Sequence, residues 1–414
     1  MYGLSDQFDG AVQMETTALG GSGQSAAVFK YNGNLYQVLQ FLGGGETEPI
    51  WVFKSTDAGL TWAILDAANS PQRTGNAQSA GVVFDGLHTL TIAYTAVTRT
   101  VNIGPVVLQT FDLSTGLWGA MFGAAGSPNV RTVNQIFVRP DGSTVVITNR
   151  AFVGGNVVGI TAKVFAGGVW TASVNLDSNL PGGVTSNGAS AVAMDPTGRL
   201  HVFAFGLDAG NAHFTLYQAF ESNNTLGSFT NFAPGVFHGV IGAMANPIIS
   251  GANLVYGVRN AAGTLPLVLV GTPLAGPVFA LSGNIDPAFA GVADPGVDPT
   301  LVTDGTLIYA VYQFNDGAVT QVRLASTANL AAPLLGWSGA SYYSDLLGFF
   351  QQAAQYPTIS VIGGVPAVTL QGFAPNPIGQ QPTNFFFFDP QPVPMDLIID
   401  FIGAKVYNKA KAGQ

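Results

Sequence analysis

A tight turn built around glycine recurs seven times along the chain, and its spacing restricts the fold more than any other feature. Gly33, Gly86, Gly142, Gly198, Gly251, Gly305 and Gly364 are separated by 53, 56, 56, 53, 54 and 59 residues. Each follows a short apolar stretch and precedes an alternating apolar strand, as in Val82–Gly86 before Thr89–Tyr94, Ile136–Gly142 before Thr144–Thr148 and Leu301–Gly305 before Leu307–Tyr312. Third and fourth apolar segments complete several units, for example Val106–Phe111 with Leu117–Phe122 and Gly159–Phe165 with Val169–Val174. Strands of four to seven residues joined by Gly, Asn and Asp turns predict a four-stranded antiparallel sheet per unit. Helical periodicity is almost absent. One such unit copied at a fixed period of about 55 residues predicts an all-β fold, a seven-bladed β-propeller. Kelch-like and solenoid arrangements are the alternatives.

Each blade of such a fold buries both faces against its neighbours, which accounts for the hydropathy. Hydrophobic residues make up 47% of the 414 and charged residues 9%, where about a quarter charged is usual. The net charge is −9 and no cysteine occurs. That excludes a disulfide framework, thiol catalysis and any Cys-containing metal site. The 14 Lys and Arg are scattered, which argues against a nucleic-acid surface. No apolar run of about 18 residues exists to span a bilayer as a helix, and Met1–Gly10 shows no signal-peptide pattern.

Three regions follow. Residues 1–24 form an N-terminal arm or closing strand, 25–390 the propeller, and 391–414 a C-terminal strand or docking tail. Ring closure has two candidates: a C-terminal strand at Leu397–Ile402, the preferred one, or a strand donated from before the Gly20–Gly23 linker. Either would cover an otherwise open sheet edge.

Ser55-Thr56-Asp57-Ala58-Gly59-Leu60-Thr61-Trp62 fits S-x-D-x-G-x-T-W between the third and fourth strands of the first unit. Asp57 can accept backbone N–H groups across the turn, Gly59 can take φ > 0, Thr61 opens the next strand and Trp62 can pack beneath the hairpin. Weaker echoes occur at Asp112–Trp118, Gly167–Trp170 and Gly336-Trp337. The motif resembles the Asp box, or BNR repeat, of the sialidase superfamily. The resemblance implies a propeller fold and a structural role for Ser55, Asp57, Gly59, Thr61 and Trp62, away from any active site. Trp62, Trp118, Trp170 and Trp337 occupy matching positions and are expected between blades.

A sialidase-type site, as that resemblance implies it, needs three arginines on a substrate carboxylate, a Tyr–Glu nucleophile pair and an Asp acid/base. The F-R-I-P motif is missing, Val138-Arg139-Pro140 is a poor partial match, and no Arg precedes Arg73. Only Glu15, Glu46, Glu48 and Glu221 exist as glutamates, none in a recognisable pairing with Tyr. Two carboxylates across a cleft would suffice for an ordinary glycosidase, yet most Asp here sit in turns, such as Asp85, Asp141, Asp195 and Asp304. No catalytic residue is assigned. His88, His201, His213 and His238 lack metal-ligand spacing. Asp294, Asp298 and Asp304 are weak candidates for Ca²⁺ against the plainer reading of a turn-rich loop, and no other cofactor is implied.

The tail has its own composition. A Pro-rich spacer, Asp389–Pro394, leads to Met395–Ile402 and then to Lys405, Lys409 and Lys411. Leu397, Ile398, Ile399 and Phe401 with those lysines form a candidate docking tail for a neighbouring subunit. The reading is therefore a non-catalytic structural or interaction propeller in a large viral (phage) or extracellular assembly, whose partners are other subunits. Its alternative is a carbohydrate-binding propeller using rim loops such as Asn149–Asn156 or Leu207–Asn211, and a sialidase-like hydrolase comes third.

Overall fold

The computed structural model describes residues 12–13, 22–41, 48–59, 61–73, 81–95, 105–124, 130–150, 152–153, 156–157, 160–176, 178, 180, 185–207, 213–228, 230–231, 236–237, 247–260, 266–271, 279–281, 285, 299–315, 320–328, 337–342, 355–374 and 381–388. Among them the chain is all-β, with one 3₁₀ turn at Ala67–Asn69 and no α-helix. The strands form antiparallel sheets of four or five strands in chain order, and one two-stranded ribbon. The seven glycines of the repeat all adopt φ between 58° and 91°. Each turns the first strand of a sheet into the second, so the spacing read from the sequence is the spacing of the sheets.

Sheet one contains Ser22–Tyr31, Asn34–Phe41, Glu48–Ser55 and Ala63–Leu65, with Gln72–Arg73 also on its third strand. Sheet two is Gly81–Phe84, Thr89–Thr95, Val106–Asp112 and Leu117–Gly123. Sheet three is Val130–Val138, Thr144–Arg150, Ile160–Ala166 and Val169–Trp170, with Val174–Asn175. Sheet four is Thr185–Met194, Leu200–Leu207, His213–Phe220 and Thr230–Asn231. In sheet five both Val236–Phe237 and Ile248–Ser250 pair with Asn253–Asn260, which leads to Pro266–Gly271 and Phe279–Leu281. Sheet six is Thr300–Thr303, Ile308–Asn315, Thr320–Thr327 and Ser338–Tyr342.

Sheet seven is Gln355–Ile362, Val365–Ala374 and Gln381–Phe388, and its fourth position is held by Val12–Gln13, opposite Phe386 and Phe385. This corrects the preference for a C-terminal closing strand. The N-terminal segment occupies that edge, and residues 397–402 lie outside the described residues. Neighbouring sheets meet in sequence around a cycle: sheet one with two, two with three, onward to seven, and seven with one. The molecule is a β-propeller.

The core is a set of seams between neighbouring sheets. Tyr36, Val38, Ile50 and Val52 of sheet one bury against Leu90, Ile92, Tyr94 and Phe111 of sheet two. Val145, Ile147, Ala162 and Val164 of sheet three meet Val192, Leu200, Val202 and Phe220 of sheet four. Val28, Leu35 and Phe53 meet Ile362 and Ala367 of sheet seven, across the closure. Each fully buried Val, Leu, Ile or Phe contributes about 1.5–3 kcal/mol. The strands therefore need apolar residues on both faces, and little charge remains.

Close backbone approach tightens one seam. A Cβ on Gly257, in the second strand of sheet five, would lie 2.0 Å from the Pro299 carbonyl oxygen, whereas one on Gly123 meets nothing within 4 Å. Gly257→Ala should therefore destabilise the fold by about 2–3 kcal/mol through forced separation of sheets five and six. Gly123→Ala should be nearly neutral, both read from urea unfolding midpoints.

Candidate functional site at the hairpin-turn end and outer edge

Because the strands alternate in direction, the first hairpin of each sheet and the hairpin between its third and fourth strands, which sheet seven lacks, lie at one end and the remaining connections at the other. Sequence-predicted side chains that the structure describes fall at the hairpin-turn end. In the first sheet, Ser55 Oγ donates to Asp57 Oδ1 at 2.8 Å and accepts the Gly59 N–H at 2.7 Å. Asp57 Oδ1 accepts the Thr61 N–H at 2.8 Å, and Oδ2 accepts the Thr61 hydroxyl at 2.5 Å. Trp62 Nε1 donates to the Gly59 carbonyl at 3.0 Å. The Thr61 hydroxyl and N–H and the Ser55 hydroxyl hold the Asp57 carboxyl down at about 2. Asp57 thus spends its oxygens on the turn.

The same use recurs elsewhere. Asp85 Oδ1 accepts the N–H groups of Leu87, His88 and Thr89. Asp112 and Asp141 each hold the N–H and hydroxyl of a serine two residues on, Ser114 and Ser143. Asp304 Oδ1 accepts from Thr306 and Leu307 at 2.7 Å, and its Oδ2 accepts the Tyr309 hydroxyl. Asp304 thus caps a turn; the other calcium candidates, Asp294 and Asp298, lie outside the described residues. Among the described residues no group of three or more His, Cys, Asp or Glu is placed to hold a metal ion. The tail residues Leu397, Ile398, Ile399, Phe401, Lys405, Lys409 and Lys411 also lie outside the described residues.

The aromatic echoes divide between seams. Trp62 packs on the seam between sheets seven and one, Trp118 between one and two, Trp170 between two and three, and Trp337 between five and six. Each belongs to the later sheet in chain order of its pair, or to sheet one across the closure, and faces the preceding sheet.

Sequence reasoning missed a polar junction between sheets three and four. The Arg139 guanidinium is buried, donating to the carbonyls of Gly198, Ser222 and Glu221 and to Asn224 Oδ1 at 2.6–3.2 Å. It also lies over the Phe220 ring at 5.3 Å. The residue that partly matched a carboxylate-clamp motif is therefore saturated by turn carbonyls. Gln135 exchanges two hydrogen bonds with the Val192 backbone, acting as an extra peptide group between first strands. Beside them, fully buried His201 places Nε2 2.9 Å from Asp195 Oδ2 and Nδ1 2.7 Å from the Tyr217 hydroxyl. A neutral ring protonated at Nε2 satisfies both, donating to Asp195 and accepting from Tyr217. Burial holds His201 below its ordinary 6.5, partly offset by Asp195, and pushes Tyr217 up to about 12. Burial also opposes ionisation of Asp195, but the Thr197 hydroxyl and His201 outweigh it and hold the carboxyl down. Arg199 and Glu221 pair at 2.7 Å on the rim of this cluster.

A second feature lies on the outer edge of sheet two. Leu117, Met121 and Phe122 are 57%, 65% and 39% exposed on the fourth strand, and Val169 on the next sheet is 67% exposed. Trp170 Nε1 donates to the Phe122 carbonyl at 3.1 Å, and Phe165 lies 5.1 Å from Phe122 and 5.2 Å from Trp170 between ring centroids. The edge strand is thus an apolar ledge, joined on its Phe122 side to sheet three through Phe165 and Trp170, while Met121 Sδ accepts the Tyr94 hydroxyl at 3.3 Å on the side of sheet one.

No protein-family model and no curated protein sequence matches the chain. Among solved structures, the chain is similar to a Trypanosoma rangeli sialidase at 13% identity and a TM-score of 0.45, over 91% of this chain and 56% of that one. It is similar to a phage phi92 endosialidase at 10% identity and a TM-score of 0.44, over 93% and 70% of the two chains. It is also similar to the β-propeller domain of the Trilobed protease from Pyrococcus furiosus, at 8% identity and a TM-score of 0.48, over 91% and 95%. The chain spans little more than half of the trypanosomal sialidase's length. The likeness is one of fold alone.

Two expectations follow from the polar junction. Arg139→Lys keeps the charge but loses the planar fork, and should cost about 2–4 kcal/mol in urea unfolding. Stability should also fall with acid in two stages. Neutral His201 contributes fully above pH 6.5, and that contribution declines as pH drops through 6.5 towards its lowered folded value. The turn carboxylates contribute above their ordinary 3.8 and lose that contribution only below it. His201→Asn should shrink the first decline in a pH series of unfolding free energies and leave the second.

Proposed function

We propose that the chain is a seven-bladed β-propeller serving as a non-catalytic interaction protein, a subunit of a large viral or extracellular assembly. The observation that carries the reading is the apolar ledge at the edge of sheet two. A seven-residue outer strand without a single charge is an association surface in a chain whose described apolar residues lie mostly in seams. The described functional groups support it: Asp57, Asp85, Asp112, Asp141, Asp195 and Asp304 hold turns, and Arg139 and His201 hold a sheet junction. The low charge, 9% of residues, fits a surface shared with other subunits.

Carbohydrate binding is the second reading, at the end opposite the hairpin turns. Its support is the ribbon Phe152–Val153 with Asn156–Val157, a paired element added to the loop between the second and third strands of sheet three. A glycoside hydrolase has less support, because the carboxylate-clamp candidate Arg139 is already engaged.

Sedimentation of the protein released gently from its source tests the first reading. Migration with a particle of megadalton size is expected. Migration as a free species near 42.8 kDa, together with a defined binder on a glycan array, would replace it with the second. Turnover on a panel of fluorogenic glycosides would establish the third.

A further inference from the structure

The outer edge of sheet two stands apart from the other described edges. Its strand, Leu117–Gly123, has seven residues, whereas the described outer strands of the other sheets have two to five. Natural edges of that length are blunted by charge, proline or a bulge. Here Leu-Trp-Gly-Ala-Met-Phe-Gly carries neither charge nor proline. Its described protection is one bulge, between Trp118 and Met121, and side-chain N–H groups of Trp170 and Gln109 on the Phe122 and Gly119 carbonyls.

The chain also contains an apolar segment whose expected place is taken. Leu397–Ile402, apolar except for Asp400, reads as a strand, yet the edge it would have closed is occupied by Val12–Gln13. Its six residues fit within the seven of the sheet-two edge, along whose outer side no described strand pairs. Charge fixes a direction. Leu117 starts beside the hairpin turn of Asp112, at the same end of the sheet as Asp85. Burial opposes ionisation of Asp85, but the N–H groups of Thr89, Leu87 and His88 together outweigh it and hold that carboxyl down, and the Ser114 hydroxyl and N–H hold Asp112 down. An added strand antiparallel to Leu117–Gly123 would end at those carboxylates. There it would deliver Lys405, Lys409 and Lys411, the +3 of the last twelve residues. The spacer from Asp389 to Asp396 covers at most about 27 Å extended, and sheet one stands between its origin at Phe388 and sheet two.

We propose that residues 397–402 of one copy lie antiparallel along the Leu117–Gly123 edge of a neighbouring copy, with the basic end of the tail at Asp85 and Asp112. This rests on the interaction-protein reading and names its contact: the chain links to itself head to tail. A heterologous contact of this kind builds rings or filaments.

The absence of cysteine makes the test direct. Full-length Met121→Cys and Ile399→Cys chains are mixed and oxidised mildly, with Ala172→Cys plus Ile399→Cys as the comparison on another exposed position. The expected result is a disulfide-linked dimer formed at least tenfold faster by the first mixture. Equal rates, a dominant link between two Met121→Cys chains, or, in a single chain carrying both Met121→Cys and Ile399→Cys, an internal link in place of the intermolecular one would each overturn the proposal. A Met121→Lys variant and a chain ending at Pro394 should each abolish self-association by analytical ultracentrifugation while keeping the wild-type thermal midpoint. If particles persist without the tail, the contact is wrong and the assembly reading stands; if no particle forms from any source, the assembly reading itself fails.

Discussion

Every sheet in this molecule is covered on both faces by its neighbours, and the whole structure depends on that mutual burial. A lone four-stranded sheet of these residues would expose Val, Ile, Leu and Phe on two sides, so no unit is stable alone. The cyclic seams solve this once the last sheet meets the first, where Val28, Leu35 and Phe53 bury against Ile362 and Ala367. The Val28 N–H also donates across that junction to Ser360 Oγ at 2.9 Å. The same requirement explains the composition: residues that face seams on both sides cannot be charged.

With the apolar residues committed to seams, the few ionisable groups go to places where the chain must turn or where two sheets must register. Asp57, Asp85, Asp112, Asp141, Asp195 and Asp304 each bind N–H groups that a tight turn would leave unpaired. Arg139 does the converse, gathering carbonyl oxygens from turns of the neighbouring sheet. One end of the propeller is thereby stiffened by charge-assisted hydrogen bonds, independently of any ligand. The uncharged edge of sheet two departs from this economy, which is why it draws the functional reading.

The turns were the most legible part of the sequence. A glycine at positive φ has few substitutes, so Gly33 through Gly364 marked the first hairpin of every sheet without any tertiary information. The S-x-D-x-G-x-T-W motif was legible for the same reason, since its hydrogen bonds span at most four residues. Contacts made at long range were not. Gln135 meets Val192 57 residues away and Arg139 meets Asn224 85 residues away, and nothing local distinguishes either residue. Ring closure was ambiguous because two apolar segments could fill one edge, and the sequence does not say which arrives first. Exposure of Leu117 and Met121 was invisible because an edge strand and a central strand share one apolar pattern.

The central claim is a ring sealed at sheet seven by the N-terminal strand, and thermal unfolding of two truncated chains tests it most directly. Removing residues 1–21 strips Val12–Gln13 from Phe385 and Phe386, which should lower the midpoint and broaden the transition. Removing residues 395–414 should leave both unchanged. The reverse pattern, a stable chain without its N-terminus and an unstable one without its tail, would contradict the account.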